Sequence, residues 1–271
     1  MSTSFKPFLR IAVVLTTAFF LVGASELKVS YLKGKVEFAD PELRGPNAIS
    51  TVEINASVPP KMIIATAVGS RTEIIDTENQ IIWRLGNLSA ARWLSPNKCW
   101  VHSGSLLCST NKDNRIIINT TKSNAIIDGP GTFIIEATSN GGFKFIPLES
   151  NGFIKTQKGG KKEVKGGRMI LVLNDPSNFG DAYDIDLMLM LKSSRLLNAF
   201  PTQLERFKQI GISLYVQQMK LRGKYDALIG DATTNENLQL WKFGKKAGVK
   251  PSTSQNPESK KGFFKSFFGK E

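Results

Sequence analysis

The stretch that decides the fold spans residues 120–173 and reads TTKSNAIIDGPGTFIIEATSNGGFKFIPLESNGFIKTQKGGKKEVKGGRMILVL. Short apolar runs alternate in it with turn-forming residues. The apolar runs are residues 125–127, 132–137, 143–148, 153–156 and 168–173. Glycine, asparagine and proline separate these runs at nearly even spacing, which predicts packed β-strands. Helices are disfavoured because glycine costs about 1 kcal/mol per helix position relative to alanine.

The same stretch carries a family resemblance. An apolar triplet at 125–127 leads into a Gly-Pro-Gly turn and then into a strand, with Gly129, Gly131, Thr132 and Phe133 as the motif residues. This arrangement resembles the signature of the FecR-type domain. Counterparts of later family segments lie at 148–154 and 165–170, so that the resemblance covers about the middle half of the chain. Pro130 and the pair Gly166-Gly167 depart from the commonest family pattern.

The resemblance implies an extracytoplasmic, mainly β module of either β-solenoid-like or β-sandwich build. FecR sensors of the signalling type carry an anti-sigma segment ahead of their membrane helix. Only ten residues precede the first apolar run here, which is far too short for a domain. We therefore expect the resemblance to carry over the β module and not the regulation of a sigma factor.

The first 24 residues predict a secretory signal peptide. Lys6 and Arg10 precede an uncharged apolar run at 11–22, and small residues at 22–24 offer a cleavage site before Ser25. The run is short for a membrane-spanning helix, which needs about 20 residues, so a retained anchor is the minor alternative. On both interpretations the body of the protein is expected outside the cytoplasm, periplasmic or secreted.

Composition predicts a folded and basic protein. Hydrophobic residues make up 41% of the chain and its formal net charge is +13. A basic excess suits contact with an anionic envelope surface or a polyanion. A solubilising charge without a partner is the simpler interpretation, and no nucleic-acid partner is predicted. The segment 158–162, Lys-Gly-Gly-Lys-Lys, is a basic turn to which the same two interpretations apply.

The two cysteines predict a local disulfide. Cys99 and Cys108 flank the segment 100–107, and a two-residue hairpin turn at Ser103-Gly104 would set them opposite each other. They would then form a non-hydrogen-bonded pair with Cα atoms about 4.5 Å apart, which suits a disulfide. The alternative is a corner at Ser103-Gly104 between strands that do not pair, which leaves two buried thiols.

No catalytic, cofactor-binding or metal-binding residues are predicted. His102 is the only histidine and lies beside two serines, but no nucleophile elbow or oxyanion loop accompanies it, so it is expected to be exposed beside a turn. One histidine and two cysteines are too few for a typical zinc site. Trp83 and Trp93 are assigned to core packing in preference to sugar stacking, because large aromatic side chains are usually buried.

Beyond residue 173 the pattern becomes helical. Residues 184–200 and 202–221 predict two helices, separated at Pro201, that form a hairpin packed on the β domain. A partner-binding groove on this hairpin is the alternative. Residues 224–244 are expected to close the domain. The predicted division is a signal peptide at 1–24, a FecR-like β domain at 25–173, the helical hairpin at 174–244 and a disordered basic tail at 245–271.

The tail ends in an unusual aromatic segment. Residues 262–270 contain Phe263, Phe264, Phe267 and Phe268 among lysines. Aromatic and basic residues together suit an anionic interface, so we interpret this segment as a candidate docking peptide for an anionic membrane surface or a partner protein. The alternative is a tail without a role.

Taken together, these patterns predict an exported, non-enzymatic FecR-domain protein that binds an envelope partner or an extracellular ligand. A structural envelope protein docked through its helices and tail is the first alternative. The second is an enzyme acting on a polysaccharide, for which Trp83, Trp93 and carboxylates such as Glu73, Asp76 and Glu78 are the support. Such an enzyme needs paired acids about 5–10 Å apart in a cleft.

Overall fold

A computed structural model describes residues 26–221 and the backbone of two short strands beyond them. The first β-strands are β1 Lys28–Lys33, β2 Val36–Ala39, β3 Ile49–Thr51, β4 Ile63–Thr66, β5 Arg71–Asp76, β6 Ile81–Leu85, β7 Ala90–Ser95, β8 Lys98–Ser103 and β9 Ser105–Thr110. The remaining strands are β10 Arg115–Asn119, β11 Asn124–Asp128, β12 Gly131–Ala137, β13 Phe143–Ser150, β14 Gly152–Thr156, β15 Lys161–Val164, β16 Arg168–Val172, β17 Tyr183–Asp184, β18 Ala227–Leu228 and β19 Trp241–Lys242. The helices are α1 Leu187–Ser193, α2 Arg195–Asn198 and α3 Phe207–Leu221.

The strands form two large sheets that pack face to face. One sheet has eight strands in the order β1-β5-β6-β9-β12-β13-β16-β17, and the other has nine in the order β15-β14-β11-β10-β8-β7-β4-β2-β3. The predicted mainly β fold is thereby confirmed, and of the two predicted builds the structure has the sandwich. Strand β17 pairs with β16, so the eight-stranded sheet extends past residue 173.

The core lies between the two sheets. Along most strands every second residue points inward because side chains alternate along a strand, and most of these inward positions are apolar. Trp83 and Trp93 meet there edge to face with ring centroids 6.0 Å apart, and Phe133 and Phe145 are in contact at 5.1 Å. Trp83 and Trp93 are 0% and 1% exposed, which confirms their assignment to the core.

The helices cover the outer face of the eight-stranded sheet. Leu107, Ile134 and Ile146 project outward from β9, β12 and β13 and belong to a second apolar cluster with Met190 of α1 and Leu214 of α3. One side of the sandwich is therefore covered by helices. No helix in the described part of the chain is long and apolar enough to cross a membrane.

Two buried arginine–glutamate pairs fasten this helical layer to the sheet. Arg84 of β6 pairs with Glu73 of β5 at 2.8 Å and also donates to the carbonyl oxygens of Leu196 at 3.1 Å and Thr202 at 2.5 Å. Phe200 covers the guanidinium, with its ring centroid 4.5 Å away. In the second pair, Arg206 donates both Nε and Nη2 to the carboxylate of Glu149, at 2.6 and 2.7 Å.

The predicted hairpin at Ser103-Gly104 is wrong. Strand β8 belongs to the nine-stranded sheet and β9 to the eight-stranded sheet, so the chain turns a corner there instead of folding back on itself. Gly104 has φ +74°, and a Cβ at this position would lie 2.2 Å from Ser89 Oγ, which leaves room for glycine alone. The same change of sheet occurs between β1 and β2.

The Cys99–Cys108 disulfide is corrected for the same reason. Because β8 and β9 are not paired, Cys99 lies beside Trp93 and Ile118 in one sheet, and Cys108 lies beside Trp83 in the other. Both are free thiols in the core. Burial raises the pKa of each well above its ordinary value. The structure thus has the alternative arrangement, a corner between unpaired strands that leaves two buried thiols.

The helices of the helical region are shorter and more often interrupted than the sequence pattern predicts. The predicted helix at 184–200 divides into α1 and α2 at Ser194, whose φ and ψ of −71° and 117° are extended. The second predicted helix begins at Phe207 and not at 202, since Thr202 is held by Arg84 and Glu73 in the connection before it. The predicted signal peptide and the Phe-rich segment lie outside the described residues, as does most of 224–244.

Candidate functional site

Basic and aromatic side chains are grouped on the outer surface of the nine-stranded sheet. We call the outward positions of β7, β8, β10, β11, β14 and β15 the cationic face. They alternate with core residues along each strand. The cationic face consists of Ala90, Arg92, Leu94, Lys98, Trp100, His102, Arg115, Ile117, Asn119, Asn124, Ile126, Asp128, Phe153, Lys155, Lys161 and Glu163. Five of these are Arg or Lys and two are carboxylates, which leaves a cationic excess.

A first row of side chains crosses this face at right angles to the strands. Register places Lys98 beside Ile117, Ile117 beside Ile126, Ile126 beside Lys155, and Lys155 beside Lys161. Neighbouring strands are about 4.8 Å apart, so the row spans about 19 Å. It presents cations at both ends and two half-buried isoleucines between them.

A second row runs parallel to the first and combines an indole with amides. Arg92 lies beside Trp100, Trp100 beside Asn119, and Asn119 beside Asn124. The Arg92 guanidinium carbon is 5.0 Å from the centre of the Trp100 ring, a cation–π distance. Asn124 donates its side-chain amide to the Asn119 side-chain oxygen. Asn119 is only 6% exposed, so this row offers an aromatic face together with the half-buried amide of Asn124 and a positive charge.

His102 extends the aromatic surface along β8. Its ring stacks on Trp100 with centroids 6.0 Å apart and an interplanar angle of 20°. Partial burial lowers the pKa of His102, and the nearby charge of Arg92 lowers it further. The imidazole is therefore neutral at neutral pH. Its exposure agrees with the prediction of an exposed histidine beside a turn.

A third row contains the carboxylates of the face. Asp128 accepts an ion pair from Arg115 at 3.5 Å and from Lys155 at 2.5 Å. Phe153 is 40% exposed, and the Lys161 ammonium lies 4.2 Å from its ring centre. In the described part of the chain no carboxylate pairs with Arg92, Lys98 or Lys161, so these three cations keep their charge for an outside partner.

The motif residues that carry the FecR resemblance have structural roles. Gly129, with φ +103°, forms the corner between β11 and β12, and a Cβ there would lie 2.2 Å from the Asn151 carbonyl oxygen. Gly131 begins β12. Thr132 is buried with its hydroxyl 2.9 Å from that of Ser109, and Phe133 lies in the core. These residues build the sandwich and do not meet at a site.

Of the three carboxylates named for an enzyme, Glu73 and Asp76 are engaged in structure, whereas Glu78 is exposed. Glu73 is the partner of Arg84. Asp76 accepts hydrogen bonds from the backbone amides of Glu78 and Asn79, at 3.0 and 3.1 Å, and so closes the turn between β5 and β6. Among the described residues no three histidine, cysteine, aspartate or glutamate side chains are grouped as metal ligands.

Sequence reasoning did not identify the cationic face. The basic turn at 158–162 was noted, and it adjoins the face through Lys161. The remaining members lie on strands whose alternation of polar and apolar residues could have revealed an exposed surface, as in Arg115-Ile116-Ile117-Ile118-Asn119. The alternation does not reveal the order of the strands in the sheet. Strand β8 pairs in parallel with β10, although β9, which lies between them in the sequence, belongs to the other sheet.

Comparisons with known proteins add little. No protein-family model matches the chain, and no curated protein matches it. A solved structure of a candidate anti-sigma factor from Parabacteroides distasonis is similar with a TM-score of 0.37 and 8% sequence identity, over 68% of this chain and 99% of that one. A likeness this weak carries no argument about function.

Proposed function

We propose that the protein is an exported, non-enzymatic binding module of FecR type that binds an acidic polysaccharide of the cell envelope on its cationic face. The observation that carries the proposal is the register of this face. It sets a row of Lys98, Lys155 and Lys161 beside a row of Arg92, Trp100 and two asparagines. The pattern at residues 1–24 supports export.

Each row suits one part of such a ligand. Ammonium and guanidinium groups attract the carboxylate or sulfate groups of an acidic polymer. An indole such as Trp100 presents a large, flat surface with apolar character, on which the apolar side of a sugar ring packs. The half-buried amide of Asn124 can donate and accept hydrogen bonds, as sugar hydroxyl groups require.

The shape of the face favours a long polymer over a small molecule. Small ligands bind in concave pockets that bury most of their surface, whereas the first row lies open across strands that span about 19 Å. A polymer can contact the whole row at once. Many weak contacts then add up, as in multivalent binding.

The experiment is a comparison of polymers by isothermal titration calorimetry. The full chain is titrated with dextran sulfate, with polygalacturonate and with uncharged dextran at about 50 mM salt. We expect both acidic polymers to bind at least tenfold more tightly than dextran, and their affinity to fall steeply as salt rises, as it does when cations of a protein neutralise a polyanion.

A single-stranded oligonucleotide of matched charge tests whether sugar recognition adds to charge. Equal or tighter binding of the oligonucleotide would contradict a polysaccharide ligand, since charge alone would then explain the affinity. Equal binding of dextran and dextran sulfate would contradict the role of the cations. Binding to neither acidic polymer would contradict the proposal as a whole.

The alternative role in docking has one specific observation in its favour. Helix α3 exposes Ile212, Tyr215, Val216 and Met219 on its outer side. Apolar side chains grouped in this way are typical of a contact surface. This surface lies on the helical side of the sandwich and is independent of the cationic face.

A further inference from the structure

Helix α3 is apolar on two opposite sides. Its inner side packs Ile210 and Leu214 into the cluster with the eight-stranded sheet. Its outer side carries Ile212, Tyr215, Val216 and Met219, which we call the α3 stripe. These positions follow the spacing i, i+3, i+4 and i+7 and therefore lie on one helical face.

The apolar side chains of the α3 stripe are largely exposed. Ile212 is 54% exposed, Val216 is 41% exposed and Met219 is 59% exposed. Single exposed apolar side chains are ordinary, but a contiguous group marks a contact surface. The inner side of the same helix is fully used, since Gln217 is bonded to Leu187, Gly167 and Ile185. Rotation of the helix therefore cannot bury the stripe.

We propose that the Phe-rich segment of this same chain, residues 262–270, docks on the α3 stripe. The segment contains four phenylalanines within six residues, Phe263, Phe264, Phe267 and Phe268. Phenyl rings are large apolar groups and therefore suit the apolar side chains of the stripe. The segment lies outside the described residues.

The connection is long enough for this contact. Leu221 ends α3, and Lys261 precedes the segment, so 261 − 221 = 40 residues join them. Strands β18 and β19 lie within this connection, and the 19 residues from 243 to 261 can reach at most about 60 Å at about 3.3 Å per residue. Helix α3, with 15 residues, is about 22 Å long. Tethering raises the effective concentration of the segment to about the millimolar range. A weak apolar contact is therefore sufficient for occupancy.

Charge excludes an electrostatic basis for the contact. Helix α3 contains Lys208 and Lys220 and no aspartate or glutamate, and the Phe-rich segment is itself cationic. The docking is therefore apolar and should persist at high salt. A membrane surface as the target of the segment would instead require anionic lipid and would be weakened by salt.

The test uses the reactivity of an introduced thiol. The two native thiols are buried with raised pKa, so they react slowly and Met219→Cys adds one accessible thiol on the stripe. We expect its reaction with a thiol reagent to accelerate at least threefold when residues 260–271 are deleted from this variant. Replacement of the four phenylalanines by serine should have the same effect, whereas replacement of Lys260, Lys261, Lys265 and Lys270 by glutamine should have none.

A matched position controls for general changes. Lys220 lies next to the stripe on another side of α3. The reaction rate of the thiol in the variant Lys220→Cys should not respond to the deletion. An unchanged rate at position 219 after deletion of 260–271 would overturn the proposal. The proposal would also be overturned if the reaction rate at position 219 fell with rising protein concentration to the same extent in the deleted chain and in the full chain. A second copy of the protein would then cover the stripe.

Discussion

Arg84 is one of the residues that attach the helical layer to the sheet. Its side chain is 0% exposed, that of Glu73 is 4% exposed, and its remaining donors bond carbonyl groups of the helical region. Removal of one partner of a buried ion pair leaves an uncompensated charge and costs about 3–5 kcal/mol. We expect Arg84→Ala to lower the free energy of unfolding by this amount, as measured by urea denaturation.

The double variant separates the charge from the packing. Arg84→Met combined with Glu73→Leu removes both charges while it retains side-chain volume, and such replacements are often close to neutral. We expect the double variant to recover most of the loss. A double variant as unstable as Arg84→Ala would contradict this account and would assign the cost to the carbonyl bonds that Arg84 makes.

His102 makes the proposed polysaccharide binding dependent on pH. Burial and Arg92 lower its pKa, so the ring gains its charge only as pH falls below the ordinary value of about 6.5. An acidic ligand favours the charged ring, and binding should therefore tighten as pH falls. One exposed charge pair contributes about 0.2–1 kcal/mol, which corresponds to a change of about 1.4- to 5-fold.

Titration of dextran sulfate between pH 8 and pH 5 measures this effect, because the sulfate groups stay charged throughout. His102→Gln keeps a polar side chain that does not titrate in this range. In this variant the gain at low pH should disappear. Persistence of the full gain in His102→Gln would show that another group is responsible.

Many residue roles could be read from the sequence. Trp83 and Trp93 were assigned to the core on their size, and burial confirms this. The cysteines were misassigned because the prediction depended on which strands pair, a property of tertiary structure. Arg84 and Glu73 pair across adjacent strands, and nothing in the sequence distinguishes such a buried pair from exposed charges before the helical layer is placed over it.

At the scale of elements, glycine corners determine the sandwich. The strands were predicted from evenly spaced turns, and the turns are present, but several of them pass the chain from one sheet to the other. Gly104, with φ +74°, is one such corner. A local signal for a turn does not say whether the flanking strands will pair, because that depends on contacts such as the approach of Gly104 to Ser89.

Gly104→Ala tests the corner. Positive φ strains alanine, and its Cβ would also clash with Ser89, so we expect a loss of unfolding free energy of at least about 1–3 kcal/mol. Gly69→Ala is the matched control. Gly69 also lies at a corner between sheets, has φ +70° and has no atom within 4 Å of the added Cβ. Equal losses in the two variants, measured by urea denaturation, would contradict the role of the Ser89 contact.

The location of the helical region was predicted better than the number and extent of its helices, since two helices were predicted and three are present. Apolar periodicity located helical segments on both sides of Pro201, but the breaks at Ser194 and before Phe207 follow from tertiary bonds. Arg84 holds the carbonyl groups of Leu196 and Thr202. Arg71 donates to Ala199 at 2.7 Å. These contacts outweigh helix propensity, which is a weak preference in a folded protein.

At the scale of the whole molecule, the sandwich has two different sides. Helices cover the eight-stranded sheet, whereas no helix among the described residues covers the cationic face of the nine-stranded sheet. The mainly β class followed from the sequence, but this asymmetry did not, because it depends on the order of 17 strands in the two large sheets. The two proposals use opposite sides, so each can fail without the other.

The measurement that tests the central claim most directly is the affinity for dextran sulfate of two charge-matched double variants. Lys98→Glu with Lys161→Glu reverses two cations of the cationic face, and Lys208→Glu with Lys220→Glu makes the same change of charge on α3, on the opposite side of the sandwich. We predict that the first variant loses at least tenfold in affinity and that the second loses less than twofold. Equal losses in both variants would contradict a binding site on the cationic face and would reduce the interaction to net charge.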